Sequence, residues 1–297
     1  MFEGAYVALV TPFKDGKVDG KKIEELVEFQ IASGIDGILP CGTTGESATL
    51  SHEEHDEVIE TVIQSVRGRV PVLAGTGSNS TREAIRLTRH AREAGADGAL
   101  MIAPYYNKPT QEGIYHHYKA VADEVDIPIV LYNIQSRTGI NMLPETTARL
   151  YRDCQNIVGI KEASGNLDQM SEIIRLCGDD FNLTSGDDAL TLPVLAIGGK
   201  GVVSVVANIV PNEVKQMIEL FNVGDITGAR AVHFKLLPLI KAMFFETNPG
   251  PVKTAMSLLG MMDSEVRLPL YRMSAENTTR LKKALDAYGI KQVALSK

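Results

Sequence analysis

Lys161 is the residue of this chain whose position most clearly offers chemistry. It follows the apolar stretch 156–160, which predicts a buried strand that ends in an amine. Burial disfavours the charged form of a lysine, so its pKa falls from about 10.4 toward neutrality and part of the population is free amine. A free amine attacks carbonyl carbons to form Schiff bases. From this segment alone, the alternatives are a lysine that snorkels from the strand end or one that pairs with a carboxylate.

The elements that must position this lysine form a repeating pattern. Short apolar runs recur every 20 to 35 residues or so, at roughly the spacing of βα units. The eight runs are 6–10, 37–40, 72–74, 99–103, 129–132, 158–161, 182–184 and 201–205. Amphipathic helical segments such as 21–32 lie between them, and capping boxes are predicted at Ser51-x-x-Glu54 and Ser80-x-x-Glu83. The pattern predicts an α/β fold, a (β/α)8 TIM barrel. A Rossmann-like sheet is the alternative, although 75–80 matches its glycine fingerprint only weakly.

After about Gly224 the pattern changes. Helices are predicted over 225–245, 251–259 and 274–287, with no further strands. We therefore predict a catalytic barrel domain at residues 1–224 and a helical domain at residues 225–297.

Polar side chains follow the predicted strands at the end of the barrel where active sites lie. Hydroxyls and phenols thereby converge on the rim around Lys161. These rim residues include Thr11, Thr43, Thr44, Tyr105, Tyr106, Tyr132, Asn133, Asp187 and Asp188. Because Thr43 and Thr44 lie between two glycines, their loop can bind a carboxylate through amides and hydroxyls. The alternative is a βα turn that merely requires glycine.

Composition and charge exclude several classes of function. Hydrophobic residues make up 44% of the chain and charged residues 23%, which is typical of a globular protein. A net charge of −7 argues against nucleic-acid binding. No apolar run approaches the roughly 20 residues that span a bilayer, and the N-terminus shows no signal-peptide pattern, so we expect a cytoplasmic protein with no membrane partner. Cys41, Cys154 and Cys177 are widely spaced and indicate neither disulfides nor a zinc site.

No metal site is predicted. His52 and His55 stand three residues apart, but no third ligand accompanies them. The loops after strands seven and eight are neither glycine-rich nor basic, so we expect a carboxylate substrate rather than a phosphate ester.

Several motifs together resemble a known family. They are Gly42-Thr43-Thr44-Gly45-Glu46-Ser47, Pro104-Tyr105-Tyr106-Asn107, Tyr132-Asn133-x-x-x-Arg137-Thr138-Gly139 and Gly159-Ile160-Lys161-Glu162, with Ala8-Leu9-Val10-Thr11-Pro12-Phe13 near the start and Asn248-Pro249-x-Pro251-Val252-Lys253 late in the chain. In order and spacing they resemble the dihydrodipicolinate synthase family of the pyruvate-dependent class I aldolases. The resemblance implies a lyase, 4-hydroxy-tetrahydrodipicolinate synthase, which condenses pyruvate with L-aspartate 4-semialdehyde in the diaminopimelate route to lysine.

The resemblance also implies a role for each site residue. Lys161 forms the Schiff base with pyruvate, so no separate cofactor is needed, and Tyr132 donates and accepts protons. Thr43 and Tyr106 relay protons to solvent, the tyrosine reaching in from a neighbouring subunit. The substrate-binding residues are Thr44 for the pyruvate carboxylate, Arg137 for the carboxylate of the aldehyde, and Gly186 with the main chain of Val203 for the pyruvate pocket.

Regulation and assembly are implied in the same way. Positions that bind L-lysine as an inhibitor in feedback-inhibited members are matched here by Ser47, Ala48, His52, His55, Asn79, Glu83 and Tyr105. Each has a competing explanation: a helix cap for Glu83, a turn for Asn79 and a polar helix face for the histidines. The family is typically a homotetramer, a dimer of dimers.

Two alternatives and one departure remain. Sugar-acid lyases that cleave sialic acid or 2-keto-3-deoxygluconate share the barrel and the lysine, although the paired threonines and Arg137 favour the synthase. A keto-acid sensor without turnover is the alternative outside enzymology. Gln135 stands where the family usually has proline, and we expect its effect to fall on affinity rather than on chemistry.

Overall fold

The computed structural model describes residues 1–290. The strands are β1 (Gly4–Ala8), β2 (Phe13–Lys14), β3 (Lys17–Val18), β4 (Gly37–Leu39), β5 (Leu73–Gly75), β6 (Gly98–Ile102), β7 (Ile129–Asn133), β8 (Ile157–Glu162), β9 (Asn182–Ser185) and β10 (Gly201–Ser204). The helices are α1 (Gly20–Ala32), α2 (His52–Val66), α3 (Thr81–Ala94), α4 (Gln111–Glu124), α5 (Gln135–Thr138), α6 (Pro144–Asp153), α7 (Leu167–Cys177), α8 (Thr191–Ala196), α9 (Pro211–Asn222), α10 (Ile226–Ala242), α11 (Gly250–Leu258) and α12 (Ala275–Tyr288).

Eight of the strands form one parallel sheet that closes on itself. Their order is β4-β1-β10-β9-β8-β7-β6-β5. The two ends of this order meet at a parallel bridge between Ile38 and Val72, and the Gly75 amide donates to the Pro40 carbonyl at 3.0 Å. The predicted (β/α)8 barrel is confirmed, and the Rossmann-like alternative is wrong because the sheet has no open edge.

The predicted apolar runs all correspond to barrel strands, with ends shifted by a few residues. One local element was not predicted: β2 and β3 pair as a short antiparallel hairpin before α1. Its strands have two residues each, too short to show a period-two pattern in the sequence.

One predicted capping box is present and the other is not. At α2 the Ser51 hydroxyl accepts from the Glu54 amide, and the Glu54 carboxylate accepts from the Ser51 amide. Ser80 precedes α3, but its side chain makes no capping bond. The Glu83 carboxylate is occupied elsewhere, because it accepts from the Ser78 hydroxyl and lies 2.7 Å from His52 Nε2. That tertiary contact overrides the local motif.

Apolar side chains cover both faces of the sheet, inside the barrel and between the strands and the helices. A small cluster in which Tyr6, Leu100, Val130, Tyr132 and Val203 pack together draws on strands from all around the barrel. Larger clusters pack the strands against the surrounding helices. The strands are therefore buried on both faces, as expected for a parallel sheet covered by helices. Among residues 1–290, no helix combines the length and apolarity needed to cross a membrane.

After Gly224 the described residues form the three helices α10, α11 and α12, joined by loops, and no further strand, as predicted. Helix α10 packs on α9 and α12, and α11 packs on α12. The division into domains at 1–224 and 225–297 stays a prediction, and residues 291–297 of the second domain lie outside the described residues.

A buried ion pair joins this helical segment to the barrel. Lys253 Nζ of α11 lies 2.5 Å from Glu46 Oε1 in the loop after β4, and both side chains are 0% exposed. Each charge has a second partner: Lys253 donates to the Glu265 carbonyl at 2.8 Å, and Glu46 accepts from the Arg267 amide at 3.0 Å. Lys253 Nζ also lies 4.2 Å from the centre of the Phe13 ring. Burial lowers the pKa of Lys253 to about 8, and the carboxylate of Glu46 opposes that shift.

Removing one member of this pair should destabilise the fold strongly. Lys253→Met leaves the Glu46 charge buried without an ammonium, and we expect a loss of about 3–5 kcal/mol in the free energy of unfolding by urea. The double variant Glu46→Gln/Lys253→Met removes both charges and should recover much of that loss. As a control, Lys215→Met breaks a partly exposed pair with Asp36 and should change the free energy by less than about 1 kcal/mol. A Lys253→Met loss no larger than that of the control would contradict the expectation.

Candidate active site

Lys161 lies near the C-terminal end of β8, flanked by strands on both sides. In register it pairs with Tyr132 of β7 and with Thr184 of β9. Its side chain is only 6% exposed. Space for it depends on Gly186 just after β9, since a Cβ at that position would lie 3.1 Å from Lys161 Cε and 2.7 Å from the Ala163 Cβ. Gly186 therefore lies against the lysine, and its predicted role in the pyruvate pocket stays a prediction.

The surroundings of Lys161 favour its neutral form. Burial, which penalises the ammonium, is the largest cause and lowers the pKa of Lys161 to about 7. Asp188 opposes this shift and Arg137 adds to it. Among residues 1–290 no carboxylate forms an ion pair with the amine, so the ion-paired alternative for this lysine is wrong. At neutral pH a substantial fraction of Lys161 is thus free amine.

Asp188 is a buried carboxyl group whose negative charge raises the pKa of Lys161. It lies just beyond β9 and is held by donors from β10 and the turn that follows: the Ser204 hydroxyl, the Val205 amide at 2.9 Å and the Val206 amide at 3.4 Å. Burial nevertheless raises the pKa of Asp188 to about 6, and the three donors oppose the rise. Asp188 therefore supplies a negative potential at the lysine without a direct contact.

Tyr132 lies against Lys161, since the Lys161 Nζ atom is 4.1 Å from the centre of the Tyr132 ring. Burial raises the pKa of the Tyr132 phenol to about 12, while the charge of Arg137 and the nearby hydroxyl of Thr43 counteract this rise. The phenol therefore holds its proton at neutral pH and can donate it to a neighbouring oxygen.

The loop that carries Thr43 and Thr44 is a tight turn after β4. The left-handed positions are Cys41 and Glu46, both at φ +54, rather than the flanking glycines. Gly45 is needed for a different reason, because a Cβ there would lie 3.1 Å from both the Leu9 carbonyl and the Cys41 amide. This loop therefore requires glycine at position 45 for close approach of the backbone, and its left-handed positions are taken by other residues.

Arg137 lies in the one-turn helix α5, at the mouth of the site. Its Nη2 donates to the Asn248 carbonyl at 3.4 Å. Gln135 occupies the first helical position, where proline also fits. The turn closes without proline, since Ile134 accepts from the Arg137 amide at 3.1 Å and from the Thr138 hydroxyl at 3.0 Å.

Two further predicted site residues differ widely in solvent exposure. Val203 is buried in β10, and its strand neighbour across β1 is Tyr6. Tyr106 is not brought to Lys161 within the chain: its side chain is 87% exposed, and its backbone has a φ of +72. Its role stays a prediction.

Most of the residues predicted to bind L-lysine line one cavity of about 410 Å³. These are Ser47, Ala48, His52, His55, Glu83 and Tyr105. The same cavity is also bounded by Thr43, Arg137 and Asn248. Asn79 does not line it, and its carbonyl accepts from the Asn107 amide at 2.9 Å.

The histidines of this cavity are not alike. His52 is exposed and bonds Glu83, whereas His55 is buried and its Nε2 lies 3.0 Å from the Gly75 carbonyl. The polar-face alternative for His55 is therefore wrong. Burial lowers the pKa of His55 to about 4, so this imidazole is neutral at physiological pH. Within residues 1–290, no cluster of three or more His, Cys, Asp or Glu side chains could hold a metal ion.

Sequence reasoning missed three site residues that act through other side chains. Asp188 appeared only as a polar strand end. Glu162 is fully buried and accepts from Asn133 Nδ2 at 3.0 Å and from the Ser164 amide at 2.7 Å, which fixes the end of β8. Asn248 was noticed only as part of a motif, yet its Nδ2 lies 3.0 Å from Thr44 Oγ1.

The comparisons with known proteins agree with this geometry. A family model described as the dihydrodipicolinate synthetase family matches residues 1–288. The 4-hydroxy-tetrahydrodipicolinate synthase of Syntrophus aciditrophicus (strain SB) is 60% identical over 98% of this chain and 99% of its own length.

Solved structures also match over nearly the whole chain. The dihydrodipicolinate synthase of Cyanidioschyzon merolae with lysine bound has a TM-score of 0.95 and 46% identity over 97% of this chain and 98% of that one. The chloride-inhibited enzyme of Acinetobacter baumannii complexed with pyruvate has a TM-score of 0.95 and 43% identity over 98% and 100%. With these matches over nearly its whole length, the chain belongs to the dihydrodipicolinate synthetase family.

Proposed function

We propose that this chain catalyses the 4-hydroxy-tetrahydrodipicolinate synthase reaction, the condensation of pyruvate with L-aspartate 4-semialdehyde. The observation that carries the proposal is the buried Lys161 amine, whose pKa is lowered to about 7, beside a phenol that keeps its proton. Family membership and the relatives' shared name support the choice of substrates.

The first step is formation of a Schiff base on Lys161. The free amine adds to the ketone carbon of pyruvate, and the resulting hydroxyl leaves as water once it is protonated. We assign that proton transfer to Tyr132, because its ring lies against the amine and its phenol is protonated at neutral pH. The nearby hydroxyl of Thr43, which lowers the pKa of Tyr132, then returns a proton to the phenol.

The second step uses the electron-withdrawing iminium as a sink. Loss of a proton from the pyruvate methyl group gives an enamine, which adds to the aldehyde carbon of the second substrate. The amine of that substrate then displaces Lys161 as the ring closes, which frees the enzyme. No further cofactor enters this sequence, because the lysine itself supplies the electron sink.

Two groups bind the carboxylates of the substrates, one buried and one exposed. Thr44 is assigned to the carboxylate of pyruvate. The exposed guanidinium of Arg137 is suited to the carboxylate of the aldehyde substrate, since its planar fork can bind two oxygens at once. Gly186 and the main chain of Val203 complete the pyruvate pocket.

The proposed assembly rests on the exposure of Tyr106. An aromatic side chain that is 87% exposed supports insertion into a second copy, where it would complete the relay with Thr43. We propose that the working form is a homotetramer built from two such dimers. A cytoplasmic location stays a prediction.

Trapping the Schiff base tests the catalytic proposal. Incubation with pyruvate followed by borohydride should add one pyruvyl group, and peptide mass analysis should place it on the peptide with Lys161. Lys161→Arg keeps the charge but has no usable nucleophile, so it should give no adduct. Absence of an adduct from the folded wild-type protein would overturn the class I mechanism in favour of a keto-acid sensor. An adduct together with cleavage of sialic acid or 2-keto-3-deoxygluconate, and no turnover of the semialdehyde, would identify a sugar-acid lyase instead.

Feedback inhibition by L-lysine is the second part of the proposal. The cavity presents the Glu83 carboxylate, whose pKa is lowered by its bonds to Ser78 and His52, and which therefore suits an ammonium group. The cavity also reaches Thr43 and Arg137, so a bound ligand would lie close to the relay. Coupling between the two sites must be reciprocal, so pyruvate should change the affinity for L-lysine by the same factor.

We expect L-lysine to lower turnover, and Glu83→Gln to raise the concentration for half inhibition by about tenfold, the effect of roughly 1.4 kcal/mol of lost binding. Glu53→Gln is the matched control, because Glu53 lies on α2 but does not line the cavity. It should leave the inhibition unchanged. Turnover that is insensitive to L-lysine while the pyruvate adduct still forms would remove this part of the proposal alone.

A further inference from the structure

The side chain of Asn248 reaches Thr44 from a remote part of the chain. Asn248 lies between α10 and α11, 204 residues from Thr44, and its Nδ2 is 3.0 Å from Thr44 Oγ1. The two side chains are 4% and 3% exposed. The other polar atom of the amide, Oδ1, is buried without a partner among residues 1–290. The bond to Thr44 is therefore the polar contact that orients this amide within the described chain.

This contact decides which way the Thr44 proton points. An amide nitrogen has protons to donate and does not accept, so Asn248 Nδ2 donates and Thr44 Oγ1 accepts. A hydroxyl has only one proton of its own, and here that proton must point away from Asn248. Thr44 Oγ1 donates to no group among residues 1–290, so its proton is available to a ligand.

We propose that Asn248 is a positioning residue for substrate binding: it fixes the Thr44 hydroxyl as a hydrogen-bond donor toward the carboxylate of pyruvate. The inference rests on the proposed function, in which Thr44 binds that carboxylate. A carboxylate only accepts hydrogen bonds, so a hydroxyl free to rotate would present a lone pair part of the time and bind more weakly. Because Asn248 fixes the orientation of the Thr44 hydroxyl before pyruvate binds, this loss of affinity is avoided.

The surrounding structure holds both partners in place. Helix α11 begins two residues after Asn248, and its Lys253 is paired with Glu46, two residues after Thr44. The Asn248 main chain has its own contact, since its carbonyl accepts from Arg137 Nη2. A substitution of the Asn248 side chain should therefore remove the amide while leaving the segment and the Arg137 contact in place.

Two variants of Asn248 separate a positioning role from a packing role. Asn248→Ala leaves the Thr44 rotor free. Asn248→Asp has nearly the same shape, but its carboxylate accepts from Thr44, turns the proton away from the substrate and adds a negative charge beside the pyruvate carboxylate. A positioning role predicts that Asp is worse than Ala, whereas a packing role predicts the reverse order.

The measurement is the pyruvate dependence of borohydride trapping, together with the KM for each substrate and thermal unfolding as a check of folding. We expect the pyruvate concentration for half-maximal trapping to rise about five- to tenfold in Asn248→Ala, as for the loss of one hydrogen bond, and further in Asn248→Asp. The KM for L-aspartate 4-semialdehyde should change by less than about twofold, because Arg137 contacts the main chain rather than the amide.

A double-mutant cycle with Thr44→Val tests whether Asn248 acts through the hydroxyl. In the Thr44→Val background, Asn248→Ala should have no further effect on pyruvate binding. The inference is overturned if Asn248→Asp binds pyruvate as well as the wild type or better than Asn248→Ala, or if the effects of Thr44→Val and Asn248→Ala add. A wild-type protein that forms no adduct would instead defeat the proposed function, so the two failures are distinguishable.

Discussion

The burial of the Lys161 amine without a paired carboxylate is the constraint on which the site depends. The folded state holds this group with a pKa of about 7, against 10.5 for a free lysine side chain. Between these two values the unfolded chain binds the extra proton, so this lysine makes stability rise with pH over that interval. Below pH 7 the lysine is protonated in both states. Its burial then lowers the free energy of unfolding by roughly 1.4 kcal/mol for each pH unit that separates the two pKa values. The same burial that lowers the stability of the fold leaves Lys161 a neutral amine, which can act as a nucleophile.

The neighbours of Lys161 each limit or direct that effect. Gly186 makes room for the side chain, and Asp188 keeps the pKa from falling further without neutralising the amine in a direct pair. Glu162 and its donors fix the end of β8. The buried pair of Glu46 and Lys253 ties the threonine loop to α11, so the helical segment outside the barrel strands contributes to the geometry of the site.

Sequence reasoning found the parts of this arrangement that leave a local signal. The barrel strands show as apolar runs, and Lys161 stands out because a charged residue ends such a run. Contacts between residues far apart in the chain leave no such signal. The bond from Asn248 to Thr44 spans 204 residues, and the Glu46–Lys253 pair spans 207. Ser80 shows the opposite error, a local motif that predicts a contact absent from the structure. Its spacing to Glu83 fits a capping box, but the Glu83 carboxylate contacts Ser78 and His52 instead. The Tyr106 side chain is 87% exposed, and no pattern within one chain could assign it to a neighbouring subunit.

The central claim is that burial leaves Lys161 a free amine near neutral pH, and the rate of imine formation measures this directly. Rapid mixing with saturating pyruvate, quenched by borohydride over a range of pH, gives the rate constant for formation of the Lys161 adduct. A lysine with a pKa of about 7 predicts a rate that rises through neutral pH and is level above about pH 8.5. A rate that climbs without a plateau to about pH 10 would show an ordinary lysine and contradict the claim.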